Sequence, residues 1–473
     1  MRQRSVIVVG GGMGGLAAAA TLARAGVAVT LLEARDSVGG LASGEVHEGL
    51  TFDLGPYVLL DRPGLEWTFE QLAEDLDAQV RLRKLEAVYQ VEAEGVDPVR
   101  IDANLARTAA AMEAQWAGSG AAYREFVGDT GARYGRLQPM QRVSRPKPFD
   151  LLRSGGWRDV PFLLKPLAAI LEATELPPPI LQALGIWTHV AGQPMAEAPS
   201  PLAFVPSLIH GPGAWYALDG VASIPRAIAA IATAAGATLR TGARVARIDA
   251  ANGQAQAVIL DTGERLVADA VVANAAGLAV YLDPLLEPPP AESARAELAA
   301  LPLQSPGVCA YLAVPPVKPG SPYLRFRLPG DDGLCRLLIL PGAVDPEVTR
   351  DGWQPARLLA PMRHAEATAM GPAGQRAFLE GLLAEPWIRQ HIGEFRVLST
   401  RTPADWGQQF NLHRESMNPV MTAAFMRAGR LAHRSPHARG LYLAGSSTHP
   451  GQWISFCAVS GILAARHLLK DLR

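Results

Sequence analysis

Residues 6–15 read Val6-Ile7-Val8-Val9-Gly10-Gly11-Gly12-Met13-Gly14-Gly15, and an acid, Glu33, closes the next apolar run at 27–32. Residue types and spacing of this kind hold an adenine dinucleotide. Gly10 permits a tight turn, Gly12 lets the backbone approach a pyrophosphate, and Gly15 lets helix and strand pack closely. A helix opening at Met13 and Gly14 aims free N–H groups and the positive end of its dipole at the phosphates. Glu33 is placed to accept hydrogen bonds from the adenosine ribose, and its charge disfavours a 2′-phosphate. Paired glycines, Gly39 and Gly40, let a second stretch of backbone touch the ligand. His449, in the Thr448-His449-Pro450-Gly451 turn, is of a type that transfers protons near neutral pH, and equally of a type held in a turn by backbone contacts. No Ser-His-Asp order, HExxH or paired-carboxylate arrangement stands out, and no metal site is expected.

These residues need a strand, a turn and a helix to position them. The four β-prone residues 6–9 precede the glycines, and an Ala/Leu-rich helix over 16–25 follows, stopped by Gly26. The chain does not continue as a plain series of βαβ units. Residues 65–100 mix helix with short strands, 105–135 read as amphipathic helix, and 140–215 are rich in Pro and apolar residues. A helix is predicted over 224–235, a strand over 238–248, a hairpin from 255–260 and 265–267, and a short buried strand over 270–273. At the end, a strand over 440–444, a Gly/Ser/Thr turn and a helix over 454–469 repeat the topology of the beginning. The expected fold is therefore α/β. A discontinuous Rossmann-type dinucleotide domain (1–105, 215–290 and 435–473) carries an inserted mixed α/β substrate domain (106–214 and 291–434).

Bulk properties bound the function. The 473 residues suffice for two or more domains, and a net charge of −1 offers no global field for nucleic acid. Cys309, Cys335 and Cys457 are widely spaced, form no CxxC pair and suggest a reducing compartment. A nucleotide-binding strand so near Met1 leaves no room for a secretory leader, so cytoplasmic residence is expected. No run approaches the roughly 18–20 apolar residues that span a bilayer. Yet mean hydropathy is +0.10, and residues 160–171 and 199–208 are markedly apolar. Core packing explains such stretches in most proteins; the alternative is a patch seated on the cytoplasmic face of the membrane that admits lipid.

The sequence resembles a known family at Leu32-Glu33-Ala34-Arg35-Asp36-Ser37-Val38-Gly39-Gly40 and at Gly49-Leu50-Thr51-Phe52-Asp53-Leu54-Gly55-Pro56-Tyr57. The resemblance continues through 220–227, 241–248 and 270–275, and ends in the LYLAG strand and THPG turn of 441–451. It is to the FAD-dependent carotenoid desaturases and isomerases of the bacterial phytoene desaturase type, within the flavin amine oxidase superfamily. By that resemblance the dinucleotide is FAD. Gly10, Gly12, Gly15 and Glu33 hold its ADP half. Gly39, Gly40 and Gly445 lie near the diphosphate, Val245 offers backbone to the adenine, and Met13, Gly14, Ala34, Arg35 and Leu41 are expected among the other cofactor contacts. Gly55, Pro56 and Tyr57 lie near the isoalloxazine, and Gly451, Gln452, Trp453 and Ile454 bring a helix N-terminus to the flavin N1/C2=O edge. An Asp–Arg pair spaced D-x-x-R has been suggested for polar work in relatives; Asp150 and Arg153 match it, in a spacing that is also an ordinary helix-surface ion pair. Two departures stand out. Leu41 replaces an Arg common in relatives, and the bulky Gln452-Trp453-Ile454-Ser455-Phe456 follows THPG where relatives carry small residues.

Gly118-Ser119-Gly120 follows a helix and lacks a third glycine, so a single dinucleotide fingerprint is present. A flavin reduced by substrate would then pass its electrons to oxygen, a quinone or another external carrier. The leading expectation is desaturation of a long apolar isoprenoid, with a hydride leaving to flavin N5 and a proton leaving the adjacent carbon. A non-redox isomerase or saturase using reduced FAD, a flavin amine oxidase, and a flavin-bearing lipid-binding protein remain as alternatives.

Overall fold

The computed structural model describes residues 3–275, 277–283, 285–330 and 333–472. Its first organising element is a five-stranded parallel sheet, in the order Leu441–Leu443, Ala270–Ala273, Ser5–Val9, Ala28–Leu32, Thr238–Arg240. Strands from the start, middle and end of the chain lie side by side, with Val8 level with Val272 on one side and Leu31 on the other. The central strand is covered on both faces, hence its unbroken apolar run. Val6 and Val8 pack among the helices Met13–Arg24, Ser223–Ala234 and Ile454–Asp471. Ile7 and Val9 pack on a four-stranded sheet made of Arg265–Val267, Ala257–Leu260, Val245–Asp249 and Leu286–Glu287.

The single strand expected over 238–248 is two strands in two sheets. Thr238–Arg240 closes the parallel sheet and Val245–Asp249 enters the smaller one. The break falls at Gly242, whose φ is +62° and whose N–H donates to Arg35 O at 2.8 Å. The hairpin, the buried strand Ala270–Ala273 and the final helix form where the pattern predicts them.

A second, seven-stranded sheet runs Arg396–Arg401, Val308–Val314, Gln354–Ala360, Arg336–Ile339, Leu324–Arg327, Ala87–Ala93, Val96–Asp102. Cys309, Tyr311 and Ala313 face the large central core, while Val308, Ala310, Leu312 and Val314 face the helices His364–Leu383 and Pro386–Ile392. Ala87–Ala93 and Val96–Asp102, placed with the nucleotide unit by a boundary at 105, belong to this sheet instead. They join it through the parallel pairing of Ala87–Ala93 with Leu324–Arg327, a contact across more than 200 residues with no local signature.

Helices Leu105–Gln115, Ser119–Leu137, Pro178–Val190 and Val205–His210 cover the inner face of that sheet. Of the two apolar stretches, 199–208 is core: Ala203, Phe204, Val205 and Leu208 are buried. The other divides at its prolines, with Leu167 and Leu171 inside and Val160 and Leu164 outside. Among the described residues no helix is long and apolar enough to cross a membrane, and no His, Cys, Asp and Glu cluster could hold a metal ion.

Candidate active site

A cavity of about 1300 Å³ opens at the carboxyl ends of the parallel strands, where ligands bind in sheets of this type. Its polar end is a cradle of backbone. Gly10 has φ +96° and Gly445 φ +94°, both in the region glycine favours. A Cβ on Gly14 would lie 2.5 Å from Asn274 Oδ1 and 2.7 Å from Gly445 N, and one on Gly12 2.8 Å from Asn274 Nδ2. Gly15 does not face the cavity: its Cβ would meet Gly10 O at 2.1 Å, which is the close strand–helix packing expected of the third glycine. The other residues expected to contact the cofactor, Met13, Ala34, Val245 and Leu41 included, all line this cavity.

Glu33 is held ready. Its Oε2 accepts from Gly11 N at 2.7 Å and its Oε1 from Arg35 N at 2.9 Å, which fixes the carboxylate with lone pairs to spare for a ribose. Arg35 in turn donates to Gly40 O and Ser43 Oγ, bracing the paired-glycine turn. Leu41 closes that turn against Gly55, where a Cβ would lie 2.5 Å from Leu41 O. The Gly55-Pro56-Tyr57 turn is fastened from behind by the buried Arg357, whose Nη1 donates to Asp53 O and Gly55 O, both at 3.0 Å. Tyr323 Oη donates to Tyr57 O at 2.5 Å.

Opposite this turn, the helix Ile454–Asp471 begins with no side chain capping it, leaving its first N–H groups free. Trp453 and Phe456 stack beside it at 5.0 Å and 12°, so the bulky residues after THPG form one aromatic slab in the wall. Beneath lies Asp61, which accepts from Ser455 Oγ at 2.8 Å, Tyr134 Oη at 3.1 Å and Gly64 N at 3.3 Å. Burial pushes the Asp61 carboxyl upward, while these donors oppose that shift.

His449 lines the cavity, and its Nε2 donates to Met140 O at 2.8 Å. Burial, aided by Arg430, lowers its pKa to about 4, so the ring is neutral at physiological pH. Asp150 and Arg153 are not brought to the cavity. Asp150 is the third residue of the helix Pro148–Ser154, and its Oδ2 accepts from Lys147 N at 2.8 Å, closing the helix start; Arg153 is exposed. Its neighbour Leu151 faces the cavity instead, one residue round the helix.

Asn274, Asp61, Arg357 and Arg430 were not singled out from the sequence. Asn274 carried a signal, a lone amide ending the wholly apolar strand Ala270–Ala273; the others come from parts of the chain whose meeting only the fold reveals.

Away from the cradle the lining is largely apolar, with Leu163, Trp187, Val190, Phe204, Val205, Leu208, Leu359, Met421 and Met426 in the wall. Among the described residues the only carboxylates lining it are Glu33, held by Gly11 N and Arg35 N, and Asp61, already triply hydrogen-bonded.

Residues 13–315 match the family model for flavin containing amine oxidoreductases, and 190–456 that for FAD dependent oxidoreductases. The chain belongs to the flavin containing amine oxidoreductase family, and it is an FAD-dependent oxidoreductase. It is 26% identical to the zeta-carotene-forming phytoene desaturase of Myxococcus xanthus, over 98% of this chain and 94% of that one. It is 27% identical to a lycopene-forming phytoene desaturase of Pantoea ananas, over 98% and 99%. In fold it is similar to a redesigned putrescine oxidase, with TM-score 0.65 and 16% identity over 99% of each chain. An oxidoreductase from Methanosarcina mazei gives TM-score 0.64 at 17% identity, covering 98% of this chain. The cradle fits FAD: the glycines are sites a Cβ would fill, and Glu33 awaits a ribose.

Proposed function

We propose that this protein desaturates a long apolar isoprenoid of the carotenoid class, passing a hydride equivalent to FAD. The observation that carries this reading is the continuity of the dinucleotide cradle with an apolar cavity that offers no free carboxylate to an amine. An ammonium substrate buried there would lack a counter-charge, a cost of several kcal/mol, whereas a hydrocarbon enters such a space favourably. The relatives named phytoene desaturase, matched along nearly their whole length, support the same reading.

Bound FAD would supply the acceptor for a hydride equivalent from one C–H bond, the adjacent carbon giving up its hydrogen as a proton. The chain's own residues orient and enclose. Arg357 and Tyr323 hold the Gly55-Pro56-Tyr57 turn rigid, the Trp453–Phe456 slab and Phe204 offer flat walls to a conjugated chain, and the apolar lining excludes water. The test is incubation of purified holoenzyme with phytoene in liposomes. Products with longer conjugation, seen as red-shifted absorbance in an organic extract, are expected; unchanged phytoene, with hydrogen peroxide released from amines, would refute the reading.

The substrate would enter from a membrane surface. Phe149, Leu152, Trp157 and Leu164 are 70%, 62%, 52% and 53% exposed, and the basic Arg145, Lys147, Arg153, Arg158 and Lys165 interleave with them. The same segment sends Arg145, Pro146, Leu151 and Leu163 into the cavity wall, so the apolar face adjoins the cavity. Such an exposed apolar face, interleaved with cations, suits an anionic bilayer. In this proposal the protein is cytoplasmic and peripheral to the membrane, with oxygen or a membrane quinone as electron acceptor. Replacing Phe149, Leu152 and Trp157 together by Ser is expected to abolish co-flotation with anionic liposomes while leaving FAD bound; undiminished flotation would contradict it.

A further inference from the structure

Arg430 is a cation in the cavity wall that the desaturation chemistry above does not use. Its Nη1 donates to Ser446 O at 2.8 Å, and its Nη2 lies 3.3 Å from where a Cβ on Gly451 would be. Leu431 N donates to Ser447 O, so the backbone carrying Arg430 is bound to the turn that enters the final helix. Among the described residues no carboxylate forms an ion pair with it. The Cys457 thiol interacts with it, but burial pushes that thiol up to about 12 and keeps it neutral. Burial also lowers the pKa of Arg430 itself, to about 10, leaving it charged at physiological pH. An enclosed cation without an anion is costly, and the cavity is where an anion can come from.

Two anionic regions of FAD could answer it, and the geometry separates them. The diphosphate cradle of Gly12, Gly14 and Gly40 is served by the start of the helix Met13–Arg24 and is braced by Arg35. Arg430 sits instead between Ser446 and Gly451, two residues before the capping position of the uncapped helix Ile454–Asp471. We propose that Arg430 is the counter-charge of the flavin pyrimidine edge, N1 and C2=O, setting the redox poise of the bound FAD together with that helix N-terminus. When FAD takes up two electrons and one proton, negative charge gathers at this edge; a fixed cation there stabilises the reduced cofactor and draws the hydride forward. The assignment does not depend on which substrate is oxidised.

The test compares wild type with Arg430→Gln and Arg430→Lys, each loaded with FAD. Sulfite affinity of the bound flavin, which rises with positive charge near N1, is read from loss of the oxidised-flavin absorbance. Removing one nearby unit charge in Arg430→Gln is expected to weaken it at least about tenfold and to lower the reduction midpoint potential, with Arg430→Lys recovering part of both. Unchanged sulfite affinity and potential in Arg430→Gln would overturn the proposal. A weakened FAD dissociation constant with those two unchanged would overturn it too, by assigning Arg430 to the diphosphate. Should neither variant retain FAD, wild type reconstituted with 8-mercapto-FAD gives the answer: a quinonoid spectrum supports a cation at N1/C2=O, and a plain thiolate spectrum refutes it.

Discussion

At the residue scale, the site depends on side chains that are absent as much as on those present. Gly14 is the sharpest case, because the groups its Cβ would strike include the backbone N of Gly445, which cannot swing aside. Gly14→Ala is expected to leave a folded protein with little bound flavin, measured as the ratio of flavin to protein absorbance after purification. Occupancy equal to wild type would show that the cradle tolerates a methyl group. The glycine turn and the presence of Glu33 in the same cavity were legible in sequence, because a tight strand–helix turn dictates residue types at a fixed spacing. Asp61, Arg357 and Arg430 were not, since each acts on a partner far along the chain: Asp61 on Ser455, Arg357 on Gly55, Arg430 beside Gly451. Asp150 and Arg153 show the reverse. Their spacing matched a motif, but the carboxylate is occupied in starting its own helix and the guanidinium is turned to solvent.

At the scale of elements, the parallel sheet and its helices follow from the apolar pattern, and their closest contact explains a composition. The helix Met13–Arg24 buries Ala17, Ala18, Ala19 and Ala20, and Ile454–Asp471 meets it through Gly461, whose Cβ would fall 2.0 Å from Gly14 O. Small residues let the final helix press on the glycine turn, so that both helix N-termini line one cavity. Gly461→Ala is expected to force the pair apart and destabilise by about 1–3 kcal/mol, the usual cost of overpacking. Denaturant unfolding followed by tryptophan fluorescence, with flavin release recorded in parallel, measures it; unaltered stability would mean the helices have slack. What patterning could not supply was the seven-stranded sheet, whose neighbours Ala87–Ala93 and Leu324–Arg327 are joined only by tertiary structure. The same limit merged Thr238–Arg240 with Val245–Asp249, because both segments are strands and only Gly242 marks the change of sheet.

At the scale of the whole molecule, buried histidines tie stability to pH. Burial lowers His433 to about 3 and His449 to about 4, from a usual value near 6.5. The unfolded chain therefore takes up protons below pH 6.5 that the native protein refuses, and stability falls as pH drops toward 4, by up to about 1.4 kcal/mol for each unit of depression. Asp53 works in the opposite sense: burial raises it to about 6, so its contribution is full below its unfolded value and is lost as pH rises through 6. Burial raises Asp61 in the same sense as Asp53, but it lowers His189 and His210 along with His433 and His449, so the histidines prevail and the melting temperature is expected to fall between pH 7 and pH 5. His433→Gln should flatten that slope, and an equally steep slope would show that the imidazole is not its source.

The proposed reaction requires FAD and a hydrocarbon to meet in a single cavity and exchange electrons there. Anaerobic mixing of the oxidised holoenzyme with phytoene in liposomes addresses it most directly, with flavin absorbance and extracted polyenes followed together. The expected result is bleaching of the oxidised flavin, with one new carbon–carbon double bond formed per flavin reduced. A flavin that stays oxidised with phytoene and other polyenes, yet bleaches with an amine, would contradict it.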